Sequence, residues 1–255
     1  MIMSEPALFA DLRGTLKRDE SLARHITWRC GGKADLAYVP ADRDDLSVFV
    51  RCLPPTERLT VIGLGSNLLI RDGGLRGAVV LMHNPGGTLA VSDGLVYSDA
   101  GVASPKVARF AAAHGCAEAE FLAGIPGTVG GALDGIFTAA WFRFPQGDSS
   151  AARTRIKELL AKRIATQPLN LPNAGSVFRN PPNDHAARLI EGCGLKGHAI
   201  GGARVSEKHA NFIVNPEGKA RAADIEALIG YVRRLVAEKT GVKLDPEVQI
   251  IGEAM

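Results

Sequence analysis

Leu59-Thr60-Val61-Ile62-Gly63-Leu64-Gly65-Ser66-Asn67-Leu68-Leu69-Ile70 is the stretch on which the fold turns. Leu59 to Ile62, apolar and β-branched, reads as a strand. The pattern breaks at Gly63-Leu64-Gly65-Ser66-Asn67 and resumes as a second strand, Leu68 to Ile70. Two glycines after a strand let backbone approach a phosphate closely, and exposed amides there form an anion nest. The doubly wound dinucleotide fingerprint is excluded, because it needs a third glycine and a following helix. The same residues also suit a plain β-turn with Asn67 at a positive φ. The residues alone leave both readings open.

Working outward, Ala34 to Pro40 reads as a strand ended by its proline, and Asp42 can cap a helix through Leu46, Val48 and Val50. Residues 10–24 place Leu12, Leu16 and Leu22 among acids and bases and read as a short helix. Val79 to Leu81 and Leu95 to Tyr97 are further strands, and Ser104 to Ala113 is a helix ended by Gly115. Ser149 to Ala165 is a strongly charged helix, after which Pro168, Pro172, Pro181 and Pro182 punctuate a loop-rich stretch. Ala187 to Gly192 is a short helix, Phe212 to Val214 a strand, Ala222 to Thr240 an amphipathic helix, and Val248 to Ile251 a last strand. The class is α+β, with α/β mixing in the first half. The second half reads as a separate α+β unit, with the boundary inside 145–168.

With 46% hydrophobic and 22% charged residues, a chain of 255 can bury a sizeable core as one large domain or two smaller ones. A net charge of +3 without a basic run argues against nucleic acid and suits a small anionic ligand. No stretch approaches the roughly 20 apolar residues of a membrane span, and Met1 to Arg24 carries no signal-peptide core. Cys30, Cys52, Cys116 and Cys193 have neither zinc-site nor disulfide spacing and read as reduced thiols of a cytoplasmic protein.

A second glycine run, Gly124-Ile125-Pro126-Gly127-Thr128-Val129-Gly130-Gly131-Ala132-Leu133, can wrap a pyrophosphate with backbone N–H donors, or be a flexible turn. Asn173-Ala174-Gly175-Ser176-Val177-Phe178-Arg179-Asn180-Pro181 places a hydroxyl, a cation and an amide together. No histidine adjoins Ser176, so it is a poor nucleophile but can donate a proton to a basic carbanion; an ordinary loop serine fits equally. In Ser206-Glu207-Lys208-His209-Ala210-Asn211-Phe212, Lys208 or His209 can contact phosphate or carboxylate, or be structural. Glu247 starts the last strand, where carboxylates are commonly solvated.

Taken together and in order, these segments resemble the UDP-N-acetylenolpyruvoylglucosamine reductase family. His25-Ile26-Thr27-Trp28-Arg29-Cys30-Gly31-Gly32 is similar to its opening motif. The two glycine runs, with Gly63, Gly65, Ser66, Asn67 and Leu68 in one and Gly124 to Gly131 in the other, look like its FAD pyrophosphate loops. Asn173 to Pro181, Val205 to Asn215 and Pro246 to Glu253 are similar to its substrate-domain motifs. The resemblance implies a two-part FAD-binding module of the vanillyl-alcohol-oxidase (PCMH) type over 17–145 and a C-terminal substrate-binding domain over 165–255. It implies hydride transfer from NADPH to FAD and on to an enolpyruvyl UDP-sugar, a step in peptidoglycan precursor synthesis by a cytoplasmic monomer. The catalytic proton donor falls on Ser176 and the family's glutamate on Glu247; Asn180 and Lys208 are expected to contact substrate.

At one place the chain departs from that pattern. After Leu133 the family continues with an FAD segment, several strands and a Tyr-Arg pair whose arginine is catalytic. Here Leu133 is followed by Asp134-Gly135-Ile136-Phe137-Thr138-Ala139-Ala140-Trp141-Phe142-Arg143-Phe144, which resembles the strand downstream of that pair. Arg143 does not match the catalytic position, and the missing segment implies impaired reductase activity. A remnant that binds flavin or nucleotide without turnover is the alternative. Two further expectations follow: both glycine runs line one groove, and Ser176 and Glu247 share a cleft facing it.

Overall fold

A computed structural model describes residues 9–84, 86–132 and 137–255; the Leu133–Asp134 junction lies outside them. The first unit contains β1 (Thr15–Ser21), β2 (Lys33–Val39), α1 (Arg43–Cys52), β3 (Leu59–Ile62), β4 (Leu68–Ile70) and β5 (Leu75–Leu81). Its sheet has the order β1-β2-β5-β3, with β1 antiparallel to β2 and the other pairs parallel. Strand β5 is buried on both faces, as its apolar sequence requires. Ala78 and Val80 point with Tyr38 toward Phe49 of α1, while Val79 and Leu81 join Ile62, Ile70 and Leu22 in a second cluster. Tyr38 and Phe49 stack with ring centroids 4.3 Å apart. Asp42 caps α1 as expected, accepting from the Asp45 N–H.

Residues 10–24 are not helical. The four-residue spacing of Leu12 and Leu16 suggested a helix, but Thr15 to Ser21 pairs along β2 from Thr15↔Val39 to Ser21↔Lys33. Leu12 and Leu16 pack near Tyr38, and Lys17, Arg18 and Glu20 mark a charged edge strand. Cross-strand pairing outweighs a weak helical pattern. A single 3₁₀ turn, Leu22–Arg24, follows.

The second unit is a meander of β6 (Leu89–Ser92), β7 (Leu95–Asp99) and β8 (Ala139–Arg143), with α2 (Ser104–Ala113), a 3₁₀ turn (Glu120–Gly124), α3 (Val129–Ala132) and α4 (Ser149–Thr166). Helix α4 belongs here. Its Ala152 and Ile156 enter the same core as Val107, Ala111 and Leu122. The change to charged composition at Ser149 reflects the solvated face of a helix, not the start of the next unit.

The third unit holds α5 (Ala186–Gly192), β9 (Ala199–Ile200), β10 (Ala203–Val205), β11 (Ile213–Val214) and α6 (Ala222–Thr240). Strand β12 (Gln249–Ile251) leaves it and pairs parallel with β4 of the first unit. Docking is close: Trp28, Cys30 and Leu69 are buried in the core built around α6. The Trp28 indole donates to the Ile213 carbonyl at 2.8 Å, and the buried Asn215 amide donates to the Trp28 carbonyl at 3.0 Å. Asp72 accepts from the N–H groups of Ala222 and Ala223, both at 2.9 Å, so the first unit caps the main helix of the third. Arg71 forks onto Glu226 at 2.9 and 2.8 Å. All four cysteines are free thiols.

Two stability outcomes follow. Asn215→Ala leaves the Ala220 N–H and the Trp28 carbonyl without partners in a buried place, which should cost roughly 1–3 kcal/mol in urea unfolding. For Asp45, burial pushes the carboxyl up, but hydrogen bonds from the Tyr38 hydroxyl and the Arg13 and Ala41 N–H groups outweigh it and hold the pKa below the usual value. A depressed folded pKa gives stability that is complete above the unfolded value of about 4. That stability is lost as pH falls through the folded value. Asp45→Asn should therefore lower stability at pH 7 and flatten the decline below pH 4 in urea midpoints.

Candidate active site

The two glycine runs face each other across the seam between the first and second units. A Cβ on Gly63 would stand 2.5 Å from the Thr128 hydroxyl oxygen, and one on Gly127, at φ +113°, would stand 2.9 Å from the Ser66 hydroxyl. Only glycine permits that approach. Between the runs lies a groove of about 320 Å³, lined by Gly63, Gly65, Ser66, Asn67 and Leu68 on one side. Gly127, Thr128, Gly130 and Gly131 line the other, so the runs share one groove as expected. Gly124 and Pro126 line an adjoining cleft, while Ile125 packs into the core of the second unit.

Among the described residues, the N–H groups of Gly65, Ser66 and Asn67 donate to no backbone acceptor. Those of Val129 and Gly130 are engaged by the carbonyls of Val102 and Ala100, because this part of the run closes into α3. The N–H groups of Gly127 and Thr128 likewise donate to no backbone acceptor, so both runs turn free amides to the groove. Thr27 holds the first run in place through its N–H and hydroxyl, both donating to the Gly65 carbonyl. These residues fit a dinucleotide diphosphate.

The adjoining cleft, about 740 Å³, shares Gly63, Leu64 and Ser66 with the groove and contains Ser176 and Glu247. Ser176 stands on a loop shaped by Asn173, whose side-chain oxygen accepts from the Gly175 N–H while its amide donates to the Pro168 and Leu171 carbonyls. The Val177 carbonyl accepts from the Glu247 N–H at 2.8 Å. The Glu247 carbonyl in turn accepts from the Asn67 side chain at 3.2 Å, and the Gln249 N–H donates to the Asn67 carbonyl at 3.0 Å. Three motifs distant in sequence are stitched together by these bonds.

Three arginines give the cleft an excess of positive charge among the described residues. Arg24, Arg29, Arg163, His25 and His83 line it, against Glu247 as the carboxylate of the lining. Arg163 and Gln167, on and just after the last turn of α4, carried no motif signal in the sequence. Their place follows from how α4 packs on the second unit. Asn180 and Lys208 do not line the cleft. Asn180 is exposed, and its side-chain oxygen accepts from the Ala186 N–H at the start of α5. The Lys208 ammonium donates to the Ile164 carbonyl, tying the third unit to α4. Arg143 and Arg179 are exposed and outside the cleft.

Comparison with known proteins gives the same picture. An FAD-binding-domain model matches residues 34–147, and the model for the C-terminal domain of UDP-N-acetylenolpyruvoylglucosamine reductase matches 167–251. A protein of that name from Thiobacillus denitrificans is 48% identical, with 95% of this chain and 94% of the relative covered. One from Methylococcus capsulatus is also 48% identical, with 96% of each covered. The crystal structure of the reductase from Thermus caldophilus superposes with a TM-score of 0.72 at 27% identity, covering 94% of this chain and 99% of that one. The first alignment runs over 304 residues, whereas this chain has 255, so several tens of the relative's positions have no counterpart here. By sequence and by structure the chain belongs to the UDP-N-acetylenolpyruvoylglucosamine reductase family.

Proposed function

We propose that this chain binds FAD along the glycine groove and reduces the enolpyruvyl UDP-sugar to UDP-N-acetylmuramate with NADPH, more slowly than its full-length relatives. The observation that carries this reading is the single cleft that joins Ser176, Glu247 and the first glycine run. When bound, FAD supplies hydride transfer, and the protein supplies orientation and electrostatics. The amides of Gly65 to Asn67 hold the diphosphate, and Thr128 and Gly127 bound the opposite wall. Hydride addition to the substrate's methylene carbon moves the double-bond electrons toward the carbon beside the carboxylate. The Ser176 hydroxyl donates a proton to that carbon, and Glu247 stabilises the developing hydrogen-bond arrangement beside it.

The slowed rate rests on the missing segment. Arg143 and Arg179 are outside the cleft, so neither replaces the arginine that the family resemblance places on that segment. Losing one such stabiliser of transition-state charge costs about 3–4 kcal/mol, or two to three orders of magnitude in rate.

Purified protein should be yellow with bound flavin. It should turn NADPH over repeatedly only when the enolpyruvyl nucleotide is present to reoxidise the flavin, at less than about one turnover per second. Absence of flavin binding would sink the reading, and a normal turnover rate would remove the impairment. Ser176→Ala should leave flavin reduction by NADPH unchanged in stopped-flow absorbance. Reoxidation by the enolpyruvyl nucleotide should slow by roughly a hundredfold; equal slowing of both half-reactions would remove the proton-donor role.

A further inference from the structure

Strand β8, Ala139–Arg143, is one edge of the β6-β7-β8 sheet, and among the described residues it pairs with β7 alone. The Ala100 N–H donates to the Thr138 carbonyl at 2.9 Å, which faces Thr138, Ala140 and Phe142 toward β7. Alternation leaves the N–H and carbonyl groups of Ala139, Trp141 and Arg143 on the open side. Edge strand β1 guards itself with Lys17, Arg18, Asp19 and Glu20, whereas β8 has no proline, lysine or bulge. Its central residue, Trp141, is 56% exposed. The strand follows directly on the Leu133 junction, where the family pattern has several more strands.

The sequence of β8 is complementary to itself in one antiparallel register. With a two-fold axis at Trp141, the outward N–H and carbonyl groups of the two Trp141 residues meet as a hydrogen-bonded pair. Arg143 then comes opposite Ala139 of the second copy, and Ala139 lies beside Asp99 of β7. Laterally paired residues point to one face of a sheet. Arg143 therefore reaches over the small Ala139 side chain toward the Asp99 carboxylate of the second copy. Within its own chain Arg143 is exposed and, among the described residues, forms no ion pair. The same face carries Tyr97 against Trp141, ring centroids 4.9 Å apart, so the pairing aligns a row of aromatic rings across both sheets. The opposite edge, β6, is Leu89-Ala90-Val91-Ser92 and offers neither a ring nor a charge.

We propose that β8 pairs with β8 of a second copy, making the chain a weak two-fold dimer in place of the monomer that the family resemblance implies. The occupant is a second copy because this register engages Trp141 and Arg143 of both partners at once, as a closed two-fold contact requires.

The test is sedimentation equilibrium over roughly 1–300 μM, a range suited to so small a contact. The mass should rise from 26.9 kDa toward twice that value, with tryptophan emission shifting to the blue as Trp141 is covered. Trp141→Lys and Trp141→Glu should each weaken association by about tenfold, because like charges then meet at the axis. Mixed in equal amounts, the two should recover association as a heterodimer. Arg143→Glu, which sets a carboxylate against Asp99 of the other copy, should weaken association by a similar factor. Val91→Lys, on β6, should change nothing. A constant 26.9 kDa across the range would overturn the proposal. So would association that survives Arg143→Glu and the single Trp141 variants, or that is lost with Val91→Lys, since either result puts the contact elsewhere. Mixed Trp141 variants that keep the parent circular dichroism yet fail to associate would overturn the register.

Discussion

Everything in the cleft depends on one short parallel pairing, β12 against β4. Through it the Glu247 backbone is held on one side by Val177, next to Ser176, and on the other by Asn67, in the flavin loop. Each hydrogen bond is worth only about 1 kcal/mol net, but their directionality sets a register. A slip of one residue would turn Gln249 to Ile251 to the opposite face and displace Glu247, two residues before the strand. The arrangement of the proposed site is thus specified by backbone geometry, and its side chains inherit their positions from it.

The same pairing explains why the third unit is not an independent appendage. Trp28 and Leu69 are buried in its core, Asp72 caps its main helix, and Asn215 reaches back to the Trp28 carbonyl. Apolar burial provides the bulk of the adhesion, while the polar contacts fix the angle. The half-buried Arg71–Glu226 fork adds little energy by comparison with the apolar burial. This seam places the glycine groove beside the Ser176 loop.

How much was legible beforehand varied with the kind of signal. Strands β3 and β4, the α1 cap at Asp42 and helix α6 follow from local pattern, and the structure has them close to the expected places. The glycine runs stood out because glycine clusters where backbone must approach a ligand, whereas Ser176 and Glu247 were singled out by the family resemblance, and the fold brings both into one cleft. Strand β1 was not, because its charged edge imitates a helix repeat and only its partner β2 distinguishes the two. Helix α4 was legible as a helix, but its allegiance to the second unit depends on Ala152 and Ile156 meeting residues some forty positions earlier. Arg163 was invisible for the same reason: an arginine near a helix end is ordinary until the fold shows which wall it stands in.

The β4–β12 pairing also has a consequence for how the molecule comes into being. Asn67 and Glu247, which it joins, are 180 residues apart. During synthesis at ~5–20 residues per second, the flavin loop waits many seconds before the strand that steadies it exists. Contacts this remote carry a high loop-closure entropy and slow the final docking. In that interval β4 presents an open strand edge beside apolar Leu69 and Ile70, a surface prone to pairing with the wrong neighbour. Early capture of the cofactor by the growing chain would shorten that exposure, so flavin supply would govern the yield of folded protein as well as its colour.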